Sequence, residues 1–111
     1  MTSNSKKFQK YLKRDYDEKC LKRNHDLIEV EWWDHTRSQG GWVSKNHGEQ
    51  ISPGLIRQVG YITSEDDTCV KLATVLDIPM KDNYENHDYG HCATIIKSCI
   101  TSRKTLVPKD G

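Results

Sequence analysis

The segment LIEVEWWD, residues 27 to 34, decides the fold class of this chain. Apolar side chains alternate along it, so that Ile28, Val30 and Trp32 fall on one face. Trp33 falls on the opposite face beside two glutamates. This period of two is typical of a half-buried strand. The pattern predicts that one tryptophan is in the core and the other on the outer surface.

Four further segments of this kind follow. They predict strands over residues 55–63, 69–76, 91–96 and 100–106. Gly60 lies within the second of these strands, where glycine favours a bend or a close approach of two backbones. Ser64 to Asp67 predict a tight hairpin, and Lys97-Ser98 predict a turn with 3₁₀ character. Five short strands at this spacing predict a small five-stranded SH3-like barrel.

The charge of the chain is distributed unevenly. Residues 1 to 24, which we call the basic arm, contain eight Lys or Arg against three Asp or Glu, a charge of +5. The remainder carries nine basic against thirteen acidic side chains, a charge of −4. A positive arm can contact phosphates or nucleic acid, and it can equally attract a second subunit. A solvated helix face with no such partner is the third interpretation.

The basic arm also carries an apolar stripe. Its apolar residues recur three and four positions apart, at Phe8, Tyr11, Leu12, Tyr16 and Cys20. This spacing predicts an amphipathic N-terminal α-helix within residues 1–25, ahead of a barrel domain over residues 26–111. The stripe can pack on the barrel of its own chain or on a second subunit, and the sequence leaves both open.

Composition also bears on location. No apolar stretch approaches the ~20 residues of a membrane span, and the first ten residues lack the apolar segment of a secretory signal. We therefore expect a cytoplasmic protein. The four cysteines show no Cys-x-x-Cys spacing and are expected to be reduced and buried.

Several short motifs follow one another in a fixed order. They are Val30-Glu31-Trp32-x-Asp34, Gly41-Trp42, Ile56-Arg57-x-Val59-Gly60-Tyr61, an acidic hairpin, Val70-x-Leu72-Ala73 and Ile95-Ile96-Lys97-x-Cys99-Ile100. This succession resembles that of small proteins encoded by tailed bacteriophages, over residues 28 to 106. The resemblance implies a phage accessory protein with an SH3-like barrel that acts in the cytoplasm of the infected bacterial host. The basic helix and the loop of residues 77–89 depart from the pattern.

One branch of such phage proteins sequesters the cyclic nucleotide signals of bacterial immunity, including the CBASS type. The resemblance therefore implies a homo-oligomer that binds a cyclic oligonucleotide without cleaving it, an anti-CBASS sponge. Such a ligand needs stacking aromatics and cations for its phosphates. The candidate ligand-binding residues are Trp33, Arg37, Trp42, Arg57, Tyr61, Lys97 and Arg103.

Each candidate also has an ordinary structural interpretation. Trp42 can cap the core, the N-terminal helix can cover Trp33, and Tyr61 can belong to the core. Arg57 and Lys97 can be solvated or paired with carboxylates. The connection of about fifteen residues that begins at Asp77 is long enough to suggest a function of its own.

Metal binding and catalysis are not expected. His87, His91 and Cys92 lie close together in sequence, but neighbouring residues of a strand point to opposite faces, so these three ligands would not converge. No cofactor and no catalytic residues are predicted, and the chain is not expected to be an enzyme.

The alternatives to a sponge are a module that binds a host protein or nucleic acid, and a phage structural or assembly component.

Overall fold

The computed structural model describes residues 14–34, 42, 44–50, 52–85 and 87–111. Its elements, in chain order, are α1 (Glu18–Leu21), β1 (Leu27–Asp34), α2 (Lys45–Gln50), β2 (Gly54–Glu65), β3 (Cys69–Leu76), β4 (Tyr89–Ile96), a 3₁₀ turn (Lys97–Cys99) and β5 (Ile100–Val107). The prediction of a mainly β chain with five strands and a 3₁₀ turn before the last is confirmed. In β1 and β3, where alternate residues are buried, the alternation of apolar side chains reflects burial on one face.

The five strands form one antiparallel sheet in the order β4-β3-β2-β1-β5. The first four strands form a meander, and β5 returns to pair with the free side of β1. β4 and β5 lie at the two edges, and no pairing joins them in the described part of the chain. The sheet is therefore open as described, whereas the sequence predicted a barrel.

The long strand β2 changes partner along its length. It pairs with β1 from Gly54 to Tyr61 and with β3 from Tyr61 onward, with a register shift between Ile62 and Ser64. A Cβ atom on Gly60 would lie 2.9 Å from the Cβ of Leu72 and 3.3 Å from a backbone oxygen of β3. The predicted close approach at Gly60 is confirmed, because only glycine lets β2 come this near to β3 at the corner.

The core lies on one face of this sheet. It consists of the fully buried side chains of Ile28, Val30, Val70, Leu72 and Ile95, with Trp32, Ile62 and Ile100 packed against them. The indole N–H of Trp32 donates to Gln58 Oε1 at 3.2 Å. Trp33 is 41% exposed. The predicted inward and outward faces of β1 are therefore confirmed.

An ion cluster shows how strongly the sheet coils. Glu65, at the end of β2, accepts from Lys97 at 2.8 Å and from both terminal nitrogens of Arg103 at 2.8 and 3.0 Å. Arg103 and Gln58 both lie opposite Val30, on either side of β1, and Glu65 is seven residues beyond Gln58. In a flat sheet Glu65 and Arg103 would be roughly 25 Å apart. The ion pair therefore requires that β2 folds over toward β5.

Replacing Glu65 with glutamine tests this cluster. The two cations, Arg103 first, lower the pKa of Glu65 to about 2, so its charge stabilises the fold above its ordinary pKa and the effect disappears as the pH falls toward 2. We expect the Gln variant to lose about 1 kcal/mol of unfolding free energy at neutral pH. Urea titrations at pH 7 and pH 2.5 check this. An equal deficit at both pH values contradicts it, and Glu31→Gln, at a more exposed pair, is the control.

Two predictions outside the sheet need correction. Within the described part of the basic arm, the helix does not run on continuously to residue 25, because Asp17 is extended and caps the short helix α1 through a bond from Cys20 N–H. Residues 1–13 lie outside the described residues. The connection between β1 and β2, for which the sequence predicts neither helix nor strand, contains α2. Ser44 starts that helix by accepting the His47 and Gly48 N–H groups.

The cysteines are all free, but of the four expected to be buried only Cys20 is; Cys69 and Cys99 are half-buried, and Cys92 is exposed. Within the described residues, none of the helices has the length and apolar character to cross a bilayer.

Candidate functional site

A cavity of about 770 Å³ lies between the basic arm and the loop that follows β3. We call it the arm–loop cavity. Residues 19–25 form one wall, the end of β3 with residues 77–79, 84 and 87 forms the other, and Tyr61 of β2 contributes to the lining. Its volume falls in the range of ordinary small-molecule sites, about 300 to 1,000 Å³. The cavity is therefore large enough for a nucleotide-sized ligand.

The sheet fixes the position of Tyr61 at the back of this cavity. Tyr61 is the point where β2 leaves β1 for β3, with Leu27 and Ala73 as its two partners. The bend at this corner carries β2 away from β1. Backbone pairing on both sides thus fixes the position from which the Tyr61 side chain reaches the cavity lining.

The arm wall carries the positive charge of the cavity. Lys19, Lys22 and Arg23 line it, and the side chains of Lys22 and Arg23 are exposed. Over the described residues, none of these three side chains forms an ion pair with a carboxylate. Asp77 is the acidic residue that lines the cavity. The wall therefore favours anionic ligands.

The loop wall is attached to the arm by three contacts. The Tyr84 hydroxyl donates to the carboxylate of Asp17, and the ammonium of Lys19 lies 4.2 Å from the centre of the Tyr84 ring. The N–H of Lys81 donates to the Asp15 carbonyl at 2.9 Å. The Tyr84 hydroxyl, with the Cys20 N–H second, lowers the pKa of Asp17 to about 2, and the same bond raises the pKa of Tyr84 to about 12.

Tyr84→Phe tests this attachment. We expect the Asp17 carboxyl to titrate near pH 2 in the native chain and at a higher pH in the variant, still below its ordinary pKa because the Cys20 N–H remains. The charge of Asp17 thus stabilises the arm above its ordinary pKa and loses this effect as the pH falls through about 2. NMR titration of the carboxyl carbon measures the midpoint. The same midpoint in both proteins would show that Tyr84 does not bond Asp17.

Three aromatic side chains, two of which line the arm–loop cavity, contact one another. The Tyr89 ring makes edge-to-face contacts with His25 at 5.5 Å and with His87 at 5.6 Å between ring centres. His25 Nδ1 lies 2.8 Å from the Ile62 carbonyl oxygen. Since that oxygen only accepts, Nδ1 carries a proton. His25 is thereby fixed to the sheet and contributes a second flat ring to the lining.

The structure separates most of the residues predicted to bind ligand. Tyr61 lines the arm–loop cavity, whereas Arg57 pairs with Glu31 at 2.7 Å on the outer face of the sheet. Lys97 and Arg103 are bound to Glu65, as described above. Each of these cations is paired with a carboxylate, Arg57 with Glu31, whereas Lys97 and Arg103 share the single negative charge of Glu65.

The two tryptophans predicted to bind ligand, Trp33 and Trp42, do not lie in the cavity lining. Trp33 is on the outer face of β1, directly opposite Leu55. Trp42 is fully exposed, which contradicts its interpretation as a cap of the core. Arg37, and Gly41 of the Gly41-Trp42 motif, lie outside the described residues.

Sequence reasoning missed most of the cavity lining. The missed residues include Lys19, Lys22, Arg23, His25, Tyr84 and His87. Two signals pointed toward them, namely the charge of the basic arm and the length of the loop that begins at Asp77. Their meeting depends on contacts between segments about sixty residues apart, and no local pattern encodes such contacts.

The lining suits binding through aromatic and cationic contacts. Across the described segments, no three His, Cys, Asp or Glu side chains are grouped closely enough to hold a metal ion. Flat rings at Tyr61 and His25 can stack against a planar group, while Lys22 and Arg23 can donate to an anion.

No protein-family model, curated protein or solved structure matches this chain. The resemblance to phage proteins therefore rests on the sequence motifs alone, and we infer the function from the chemistry of the arm–loop cavity.

Proposed function

We propose that this chain is a binding protein that holds a cyclic nucleotide in the arm–loop cavity and does not cleave it. The observation that carries the proposal is the joining of three cations and several aromatic rings around one cavity of about 770 Å³. A cyclic dinucleotide combines two flat bases with two phosphates. Both parts find chemically matched groups on the walls.

Two groups of side chains recognise different parts of the ligand. Lys22 and Arg23 are the donors for a phosphate, since charge-assisted hydrogen bonds are the strongest polar contacts available to them. Tyr61 and His25 supply planar surfaces for a base. Lys19 and Tyr84 are already stacked on each other, so they hold the loop against the arm. The ligand would thus contact the sheet, the arm and the loop together.

The biological setting is proposed from the sequence resemblance. In that setting the chain is a phage accessory protein that acts as an anti-CBASS sponge in the host cytoplasm and forms a homo-oligomer through its N-terminal segment. We further propose that the sheet is the wall of an SH3-like barrel. The meander followed by a returning β5 and the ion cluster at Glu65 support this, since both draw the sheet toward closure.

A second candidate function is a protein-binding module. The observation that favours it is the exposed apolar pair on the outer face, where Trp33 and Leu55 are directly opposite each other and are 41% and 52% exposed. Exposed tryptophan is typical of protein interfaces. A host protein or a phage structural component is the partner expected there.

Native mass spectrometry tests the proposed function. The protein is mixed with cyclic di-GMP, cyclic di-AMP, cyclic GMP-AMP and cyclic tri-AMP, and the complexes are then denatured so that the released nucleotide can be weighed. We expect a complex of defined stoichiometry that releases intact nucleotide. A linear product would show that the chain is an enzyme, and free protein with all four compounds would favour the protein-binding module.

A further inference from the structure

The C-terminal segment after β5 lies against the cationic wall of the cavity. The Asp110 carboxylate accepts the backbone N–H of Arg23 at 2.7 Å, and the Asp110 N–H donates to the Arg23 carbonyl at 2.9 Å. These two bonds join residues 87 positions apart in sequence. The carboxylate therefore bonds the backbone of Arg23, and among the described residues it forms no ion pair with the guanidinium of that residue.

Neighbouring bonds fix the rest of this segment. The Lys109 N–H donates to Asp26 Oδ1 at 2.7 Å. On the other side, the Ile62 N–H donates to the Asp26 carbonyl at 2.9 Å and the Ile62 carbonyl accepts from His25. The backbone from residue 23 to residue 26 is thus held between β2 and the C-terminal segment.

This arrangement matters for binding because Lys22 and Arg23 are long, exposed side chains. Ordering such a side chain on a ligand costs conformational entropy, and the cost rises when its backbone is also free to move. A backbone fixed in advance leaves only the side-chain rotamers to be ordered. The C-terminal bonds therefore prepare the cationic wall for an anion.

We infer, on the basis of the function proposed above, that Asp110 is a positioning residue for the anion site of the arm–loop cavity. It acts through the backbone of Arg23 and does not touch the ligand. The C-terminal segment is thereby part of the binding site, although it lies outside the cavity lining.

The direction of the change in ligand affinity distinguishes a positioning role of Asp110 from a purely electrostatic one. Asp110 is an acidic residue next to a cationic wall, so removing its charge would strengthen the binding of an anion by Coulomb attraction alone. A positioning role predicts the opposite for a variant that also loses the hydrogen bond. Asp110→Asn removes the charge and keeps an oxygen acceptor, whereas Asp110→Ala removes both.

The experiment is isothermal titration of the full chain with the cyclic nucleotide that binds most tightly in the panel. We expect Asp110→Ala to weaken binding roughly two- to tenfold and Asp110→Asn to bind at least as tightly as the native chain. Lys109→Ala is the matched control, because the bond to Asp26 uses its backbone N–H, and we expect it to be neutral. Thermal unfolding of all variants checks that the sheet is intact.

The possible failures are distinguishable. If the native chain binds none of the four nucleotides, the proposed function fails, and the positioning role fails with it. If the native chain binds and Asp110→Ala binds equally or more tightly, only the positioning role is overturned. If both Asp110 variants are weakened equally, the oxygen acceptor that Asn retains does not preserve binding, which also overturns the inference.

Discussion

Reversing the charges of Lys22 and Arg23 together is expected to weaken cyclic nucleotide binding by roughly a hundredfold or more. In the proposed site each of these cations donates to a phosphate, so a glutamate in its place would repel the ligand. Both side chains are exposed, so the double variant Lys22→Glu/Arg23→Glu should fold normally. Isothermal titration with the best ligand of the panel measures the change.

The control must change the net charge equally without touching the cavity. Lys71 on β3 and Lys104 on β5 are exposed and lie outside the cavity lining. The variant Lys71→Glu/Lys104→Glu alters the chain by the same four charges. We expect it to retain most of the affinity at physiological salt, where distant charges are screened. Equal losses in the two double variants would mean that only the overall charge attracts the ligand.

Leu72→Ala is expected to cause the largest loss of stability. Leu72 is fully buried at the centre of the core cluster, and its side chain approaches Gly60 at the corner of the sheet. Truncating a buried leucine costs about 2 to 5 kcal/mol, through lost burial and the cavity left behind. Since the free energy of unfolding of a small domain is only about 5 to 15 kcal/mol, the folded state of the variant should be only marginally stable.

Urea unfolding followed by circular dichroism measures this loss. The expected result is a lower midpoint with an unchanged slope, which indicates that the folded state buries the same surface. Leu55→Ala, at an outer-face position that is 52% exposed, is the control and should change the unfolding free energy by less than about 0.5 kcal/mol. Similar midpoints for the two variants would contradict the assignment of the core.

The sheet was predictable because its information is local. Alternation placed Ile28 and Val30 in the core and Trp33 outside, and Gly60 marked the corner, since a side chain there would collide with Leu72. The short helix α2 was not predictable from the same pattern. Every residue in it is exposed, so it has no apolar stripe, and its start depends on a single serine cap.

The candidate site was harder to predict, because its parts meet only in the folded chain. The basic charge and the long loop were visible, but the bond between Asp17 and Tyr84 and the bond between Arg23 and Asp110 join distant segments. Arg57 and Arg103 look like phosphate ligands in sequence. Their carboxylate partners become visible only through strand register and the coiling of the sheet.

Amide hydrogen exchange with and without the best-binding cyclic nucleotide tests most directly whether the arm–loop cavity is the binding site. We predict new protection in residues 19–25 and 74–87, with little change on the outer face around Trp33 and Leu55. Protection confined to that outer face, or absent from both walls of the cavity while the nucleotide is bound, would contradict the proposed site.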